Sequence, residues 1–185
     1  MKTNIKNAII LHAMDDSPNN HWYPWLKSQL EQKGYDVWLP QLPDDKNPQI
    51  SVWVPFIMES GKFNEETVII GHSAGASVIL SVLEELKVKI SQAILVAGFS
   101  FYPGGDGILK PSYDWEKIKS NVQEMIIINS DNDPYGHDDT RGRIMLEMLN
   151  MDGGVQIIMK GQGHFSENTF NHPYKDFPLL LRLIK

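Results

Sequence analysis

A strand, a tight turn and a helix are predicted around the pentapeptide Gly71-His72-Ser73-Ala74-Gly75. An apolar, β-branched run at residues 67–70 precedes it, and a helix-compatible stretch at residues 76–86 follows it. In this setting the G-x-S-x-G pattern indicates a sharp turn that presents a serine hydroxyl above the edge of a sheet. We expect a positive φ at Ser73, and glycines on both sides because strand and helix approach too closely there for side chains.

The same five residues would also fit a plain strand-to-helix turn with a capping serine. The flanking strand and helix patterns favour a nucleophilic serine over that alternative. Because a helix N-terminus directs N–H groups toward negative charge, the Ala74 N–H is a candidate donor to an oxyanion.

Apolar runs alternate with helical patterns along the whole chain. The runs that predict strands are Asn7 to His12, Asp36 to Leu39, Thr67 to Gly71, Gln92 to Ala97, Glu124 to Asn129 and Val155 to Lys160. Helical spacing occurs at 20–33, 50–62, 75–87, 138–150 and 174–184, with a shorter helix at 114–121. The alternation predicts the α/β class, with one mainly parallel, six-stranded sheet buried on both faces, in a single domain over residues 1–185.

Composition excludes several classes of protein. The 185 residues contain no Cys, which excludes disulfides and thiolate chemistry and is consistent with a reducing compartment. The net charge of −6, with Lys and Arg scattered, argues against a nucleic-acid surface. The short apolar run at residues 8–11 fits neither a signal peptide nor a membrane span, so we expect a cytoplasmic protein.

An activated serine needs a base, and His164 is the best placed of the six histidines. It lies in Gly161-Gln162-Gly163-His164-Phe165, directly after the last predicted strand, at the sheet edge where Ser73 emerges. We expect His72 to point away from the serine hydroxyl and His12 to be packed or bonded to its turn. The histidines in polar surroundings are expected on the solvated surface, and they are His21, His137 and His172.

The group that orients the base should follow another strand, and residues 125–129 lead into Ser130-Asp131-Asn132-Asp133-Pro134. We prefer Asp133 because the following proline holds it extended, and we interpret Asp131 as a local turn-former. The segment also resembles a calcium loop, but the twelfth position from Asp131 is Gly142 where such a loop needs Glu.

A second oxyanion donor should come from the turn after the first strand. The Met14 N–H is the first choice and the Ala13 N–H the second. Nearby His12, Asp15, Asp16 and His21 lack a recognised metal-ligand spacing, so we expect solvated turn residues and no metal. The Gly- and Pro-rich stretch at 98–111 is either a flap over the site or a plain surface loop.

Ser73, Asp133 and His164 occur in the chain order of the α/β-hydrolases. More narrowly, the sequence resembles the small serine-hydrolase family that includes the YdeN-type proteins and retinoblastoma-binding protein 9. The segments that carry the resemblance are Leu11-His12, the motif His21-Trp22-Tyr23-Pro24-Trp25-Leu26, the pentapeptide, Asp133-Pro134 and Gly163-His164-Phe165. In the aromatic motif the rings either pack in the core or line a pocket, with core packing expected for Trp25. The sequence departs from many α/β-hydrolases in having His12-Ala13 for His-Gly, and Gly136-His137 where a proline often follows the acid.

The resemblance implies a three-layer α/β-hydrolase fold without a substantial cap domain. It also implies a carboxylesterase-like enzyme that cleaves a small acyl ester or amide through the catalytic triad Ser73, His164 and Asp133. Ala74 and Met14 would supply the oxyanion hole, and neither metal nor organic cofactor would be required. Two alternatives stay open: a weakly catalytic or non-catalytic protein-interaction module on this scaffold, and an acyltransferase that uses the same serine. The sequence identifies no protein partner.

Overall fold

The computed structural model describes residues 5–101, 107–166 and 174–185. Its strands are β1 (Asn7–Leu11), β2 (Asp36–Trp38), β3 (Val68–His72), β4 (Ile90–Val96), β5 (Val122–Ser130) and β6 (Val155–Met159). Its helices are α1 (Tyr23–Gln32), α2 (Ile50–Ser60), α3 (Ala74–Glu85), α4 (Trp115–Ser120), α5 (Asp139–Leu149) and α6 (Pro178–Leu183).

The strands form one six-stranded sheet in the order β2-β1-β3-β4-β5-β6, and every neighbouring pair is parallel. The predicted α/β class and parallel sheet are therefore confirmed. The chain runs from β1 outward to β2 and then returns to the other side of β1 with β3. Because ligands of such sheets bind beyond the strand ends where the order reverses, the carboxyl ends of β1 and β3 mark the expected site.

Side chains alternate between two apolar layers, one on each face of the sheet. Ile9, Ile69 and Leu95 pack on one face against the helices α2, α3, α4 and α5. Ile10, Ile70 and Val96 pack on the other face against α1 and α6. This arrangement gives three layers, and the described residues contain no cap domain over the carboxyl edge of the sheet.

Burial on both faces is correct for β1 and β3 and wrong for β6. Every residue of β1 and β3 is buried, whereas Val155 and Ile158 of β6 are 42% and 54% exposed. β6 is an edge strand, and its apolar sequence alone does not indicate a position at the edge of the sheet. The last helix was also predicted too long, because it begins at Pro178 and not at residue 174.

The stretch at 98–111 is anchored on both sides of its centre. Phe99 and Ile108 are buried, and the Ile50 N–H donates to the Gly107 carbonyl over 2.7 Å. Residues 102–106 lie outside the described residues, so the choice between a flap and a loop stays a prediction. None of the described helices has the length and apolarity that crossing a membrane requires.

Candidate active site

Ser73 forms the turn between β3 and α3. Its φ is 54° and its ψ is −118°, which confirms the predicted positive φ. A non-glycine residue in such a conformation costs about 1–3 kcal/mol, which the surrounding contacts must offset. The Ser73 N–H donates to the Val96 carbonyl over 2.9 Å, and the Ser73 carbonyl accepts from Ala76 and Ser77 over 3.0 Å. The strained turn is thus fixed to β4 and to the first turn of α3.

The two glycines of the pentapeptide lie at points where main chain meets main chain. A Cβ on Gly71 would overlap the Gly75 carbonyl, and a Cβ on Gly75 would overlap the carbonyls of Leu11 and His12. The predicted steric requirement is confirmed. The structure adds that Gly75 contacts the end of β1, so the start of α3 lies directly against the turn that follows β1.

Asp133 and His164 meet at the carboxyl edge of the sheet. The His164 Nδ1 lies 2.7 Å from the Asp133 Oδ2, and both side chains are buried. The other Asp133 oxygen accepts the Tyr135 N–H over 2.9 Å, so Asp133 itself makes the local turn contact. The interpretation of Asp131 as the turn-former is wrong, because its carboxylate instead accepts the Gly161 N–H over 2.7 Å.

Three consecutive side chains at the end of β5 and directly after it hold the loop that carries His164. Asp131 binds the Gly161 N–H, Ser130 accepts the Gln162 N–H over 2.9 Å, and Asn132 accepts the Gly163 N–H over 2.8 Å. Positive φ values at Gly161 and Gly163 let the loop turn so that these N–H groups face β5. The segment that supplies Asp133 therefore also fixes the main chain leading to His164.

The candidate oxyanion donors are main-chain N–H groups at the junction of β1 and α3. Ala74 is the first residue of α3, so its N–H has no acceptor within the helix. The Ala13 N–H points to the Tyr23 hydroxyl at 3.4 Å, which favours Met14 over Ala13 as the other donor. His12 shapes this turn: its Nδ1–H donates to the Ala13 carbonyl over 2.7 Å, and its Nε2 accepts from the Leu42 N–H over 2.9 Å. Burial lowers the pKa of His12, consistent with that neutral tautomer.

Comparison with known proteins identifies the family to which the chain belongs. A family model described as serine hydrolase matches residues 8–177. The chain belongs to the serine hydrolase family. This serine hydrolase is 32% identical to the serine hydrolase RBBP9 of Rattus norvegicus over 126 residues, which are 65% of this chain and 67% of that protein. It is 29% identical to the YdeN protein of Bacillus subtilis over 135 residues, which are 69% and 71% of the two chains.

Solved structures agree on the fold. The crystal structure of the ydeN gene product of B. subtilis superimposes with a TM-score of 0.85 at 24% identity, covering 96% of each chain. Est1E of Butyrivibrio proteoclasticus superimposes with a TM-score of 0.69 at 14% identity, covering 99% of this chain and 88% of that one. The resemblance and the α/β-hydrolase fold are thereby confirmed.

Two histidines of this serine hydrolase were wrongly expected at the surface. His21 is only 8% exposed, and its Nε2 lies 3.2 Å from the Asp16 carboxylate. His137 is also 8% exposed and stacks on Phe99 with ring centroids 4.0 Å apart. Burial, assisted by the nearby charge of His164, lowers the pKa of His137 to about 4. His172 lies outside the described residues.

The sequence interpretation also missed the buried role of Asp16. It was expected to be a solvated turn residue, but it is 8% exposed and accepts the Tyr23 hydroxyl over 2.7 Å. Tyr23 and Trp22 are fully buried, whereas Trp25 is partly buried against the same apolar layer. Within the described ranges, no group of three or more His, Asp or Glu side chains is arranged to hold a metal ion.

Replacing Gly75 by Ala tests the main-chain contact between α3 and β1. The added Cβ has to displace the Leu11 and His12 carbonyls, so we expect a loss of about 3 kcal/mol in the free energy of unfolding, measured by urea denaturation. Gly34→Ala is the control: its φ is +86° but no atom lies within 4 Å of the new Cβ, so about 1 kcal/mol is expected. Equal losses in the two variants would contradict the steric role of Gly75.

The pKa of His137 predicts a loss of stability in acid. The unfolded chain takes up a proton near pH 6.5, whereas folded His137 does so only near its pKa of about 4. Stability from this group is therefore complete above pH 6.5 and is lost as the pH falls toward 4. In His137→Phe, which keeps a ring against Phe99, we expect the decrease in unfolding free energy between pH 7 and 4.5 to shrink by about 2 kcal/mol. An unchanged decrease would show that His137 titrates normally.

Proposed function

We propose that this serine hydrolase cleaves small ester-like substrates, amides included, through an acyl-enzyme on Ser73. The observation that carries the proposal is the 2.7 Å contact between the His164 Nδ1 and the Asp133 Oδ2, at the sheet edge where Ser73 lies in its strained turn. With its Nδ1–H donated to Asp133, the neutral imidazole has its lone pair on Nε2, which is the atom a general base needs.

The proposed reaction has two halves. In the first, the Ser73 Oγ attacks the substrate carbonyl carbon while the His164 Nε2 takes the hydroxyl proton; the same proton then goes to the leaving alcohol or amine. In the second, water attacks the serine ester, His164 again takes and returns the proton, and the acid leaves. Asp133 holds the imidazole in place and stabilises its charged form. The N–H groups of Ala74 and Met14 would bind the oxyanion, each worth about 3 kcal/mol in the transition state.

The strain at Ser73 favours catalysis over a purely structural serine. An ordinary capping serine has an extended φ and ψ and needs no such conformation. Three main-chain hydrogen bonds of Ser73 hold this turn in place, and the glycines on either side lie against main chain. The fold thus maintains an unfavourable backbone conformation that presents the serine hydroxyl.

The absence of Cys from the sequence also supports the cytoplasm as the proposed location.

Apolar side chains around the site support a substrate with a compact apolar or aromatic group. Met14, Phe101 and Tyr135 are 53%, 58% and 60% exposed. They follow β1, β4 and β5 at the same sheet edge as Ser73. The Tyr135 ring lies edge-on to His164 with centroids 4.7 Å apart, and the Arg141 guanidinium lies 5.6 Å from the centre of the Phe101 ring. Exposed apolar groups beside polar reacting groups are typical of a substrate pocket.

The triad is tested by labelling and by turnover. We expect a fluorophosphonate probe to label Ser73, and Ser73→Ala to abolish labelling. His164→Ala and Asp133→Asn should each reduce kcat/KM for p-nitrophenyl acetate by about 10³-fold or more, since each disables the base. Asp131→Asn is the matched control, because it lies two residues away and keeps an oxygen for the Gly161 N–H. A folded wild type that is not labelled, or an Asp131→Asn variant that loses activity while Asp133→Asn keeps it, would overturn the assignment.

The apolar rim is tested by acyl-chain length. Tyr135→Ser should raise KM for p-nitrophenyl butyrate by about three- to tenfold and affect the acetate less, because an apolar contact to the longer chain is lost. The serine keeps the main-chain N–H that donates to Asp133. Ile158→Ser, which removes a 54% exposed side chain from β6, should leave both KM values unchanged. An identical effect on the two esters would argue against Tyr135 as part of the acyl pocket.

A further inference from the structure

Asp16, Tyr23 and His72 form a buried hydrogen-bonded chain that ends on the main chain of His164. Tyr23 and His72 are fully buried, and Asp16 is 8% exposed. The three residues come from the turn after β1, the start of α1 and the end of β3. None of them has a part in the reaction proposed above, yet they link the elements that carry the proposed nucleophile, base and oxyanion donor.

The contact with His164 fixes one proton of the chain. The His72 Nε2 lies 2.7 Å from the His164 carbonyl oxygen, and a carbonyl only accepts, so the Nε2 carries hydrogen and donates. The two imidazole rings are 4.9 Å apart. His72 immediately precedes Ser73, so this bond connects the residue before the nucleophile directly to the main chain of the base.

The Tyr23 hydroxyl is the junction of the chain. Its oxygen lies 2.6 Å from the His72 Nδ1 and 2.7 Å from the Asp16 Oδ2, and it accepts the Ala13 N–H at 3.4 Å. A phenol has one proton and two lone pairs, so these contacts use its whole hydrogen-bonding capacity. Because the phenol has only one proton, its hydroxyl donates to either the Asp16 Oδ2 or the His72 Nδ1 at any moment, and these two acceptors compete for that proton. The hydrogen bond to the Asp16 carboxylate involves a charged group and is therefore strong.

Asp16 holds the far end of the chain in place. Its Oδ1 accepts from the Ser17 N–H and the Asn20 side chain, both over 2.8 Å, and His21 lies 3.2 Å from its Oδ2. Burial acts to raise the pKa of Asp16, but the hydrogen bonds from His21, Tyr23 and Asn20 outweigh it and lower the pKa. The carboxylate is thus a fixed anchor for the Tyr23 hydroxyl.

We propose that Tyr23, anchored by Asp16, is a positioning residue that acts through His72 on the main chain of His164. This inference rests on the proposed function, in which His164 is the base. Without the hydroxyl, His72 loses the partner that fixes its ring, and the His164 carbonyl loses its fixed donor. A displacement of about 1 Å at a reacting group costs about 10²-fold in rate, so an effect on turnover is expected although Tyr23 touches no substrate.

Tyr23→Phe separates this role from packing, because the ring remains in the core and only the hydroxyl is removed. We expect kcat for p-nitrophenyl acetate to fall about 10- to 100-fold, with KM changed less than about threefold. The control is Tyr35→Phe, which removes a hydroxyl that donates to the Lys185 carbonyl at the other end of the sheet, and it should keep the wild-type kcat. Unfolding free energies of both variants show whether any loss of activity follows from a loss of stability.

Variants of His72 test the path of the effect. The amide of His72→Gln can still donate to the His164 carbonyl but loses the Tyr23 contact, whereas His72→Leu loses both. We expect His72→Gln to retain at least tenfold more kcat than His72→Leu, and Tyr23→Phe to have little further effect in the His72→Leu background. Additive losses in that double variant would overturn a path through His72.

Amide hydrogen exchange supplies a readout that needs no turnover. In Tyr23→Phe, exchange at residues 161–166 should become several-fold faster, and in Tyr35→Phe it should not change. Unchanged exchange, or an unchanged kcat in an active enzyme, overturns the inference. The failure of the proposed function looks different, because the wild type itself would then show no Ser73-dependent turnover.

Discussion

The site depends on the contact between main chains where β1, β3 and α3 meet. With hydrogen atoms alone on Gly71 and Gly75, the start of α3 lies against the carbonyls of Leu11 and His12. This approach places the turn after β1 next to the N-terminus of α3, so in the proposed oxyanion hole N–H groups from two distant segments would bind one oxygen atom. The strained Ser73 lies at the same junction. A methyl group at either glycine would separate these parts, so geometry here is fixed by the absence of side chains.

The other half of the site uses polar side chains to hold main chain. The residues Ser130, Asp131 and Asn132 each accept one N–H of the loop before His164, and Asp133 then contacts the imidazole. Consecutive residues alternate in direction, so an irregular segment after β5 is needed to aim all four at one loop. The polar run that resembles a calcium loop in the sequence therefore holds the main chain of residues 161–163 in place.

The sequence predicts the parts of this molecule whose causes are local. Strand and helix alternation and the turn at Ser73 follow from residues adjacent to one another, and Pro134 singled out Asp133, which the structure places against His164. The errors concern residues whose surroundings come from far along the chain. Distant parts of the chain bury Asp16, His21 and His137, and the polar residues beside them in the sequence give no sign of this burial. The strand β6 is exposed because the strand order places it at an edge of the sheet. Polar residues in a polar stretch were thus assigned to the surface when long-range packing buries them.

The dispersal of the site along the chain has a consequence for folding. The turn after β1, Ser73, Asp133 and His164 are separated by tens of residues, and they meet only when the strands β1, β3, β4 and β5 are paired. Such non-local pairing forms slowly relative to local helices. During synthesis, β1, β3 and the strained turn are available long before residues 130–164 have been made. The proposed active site is therefore completed late, and a partly folded chain holds Ser73 before it holds His164.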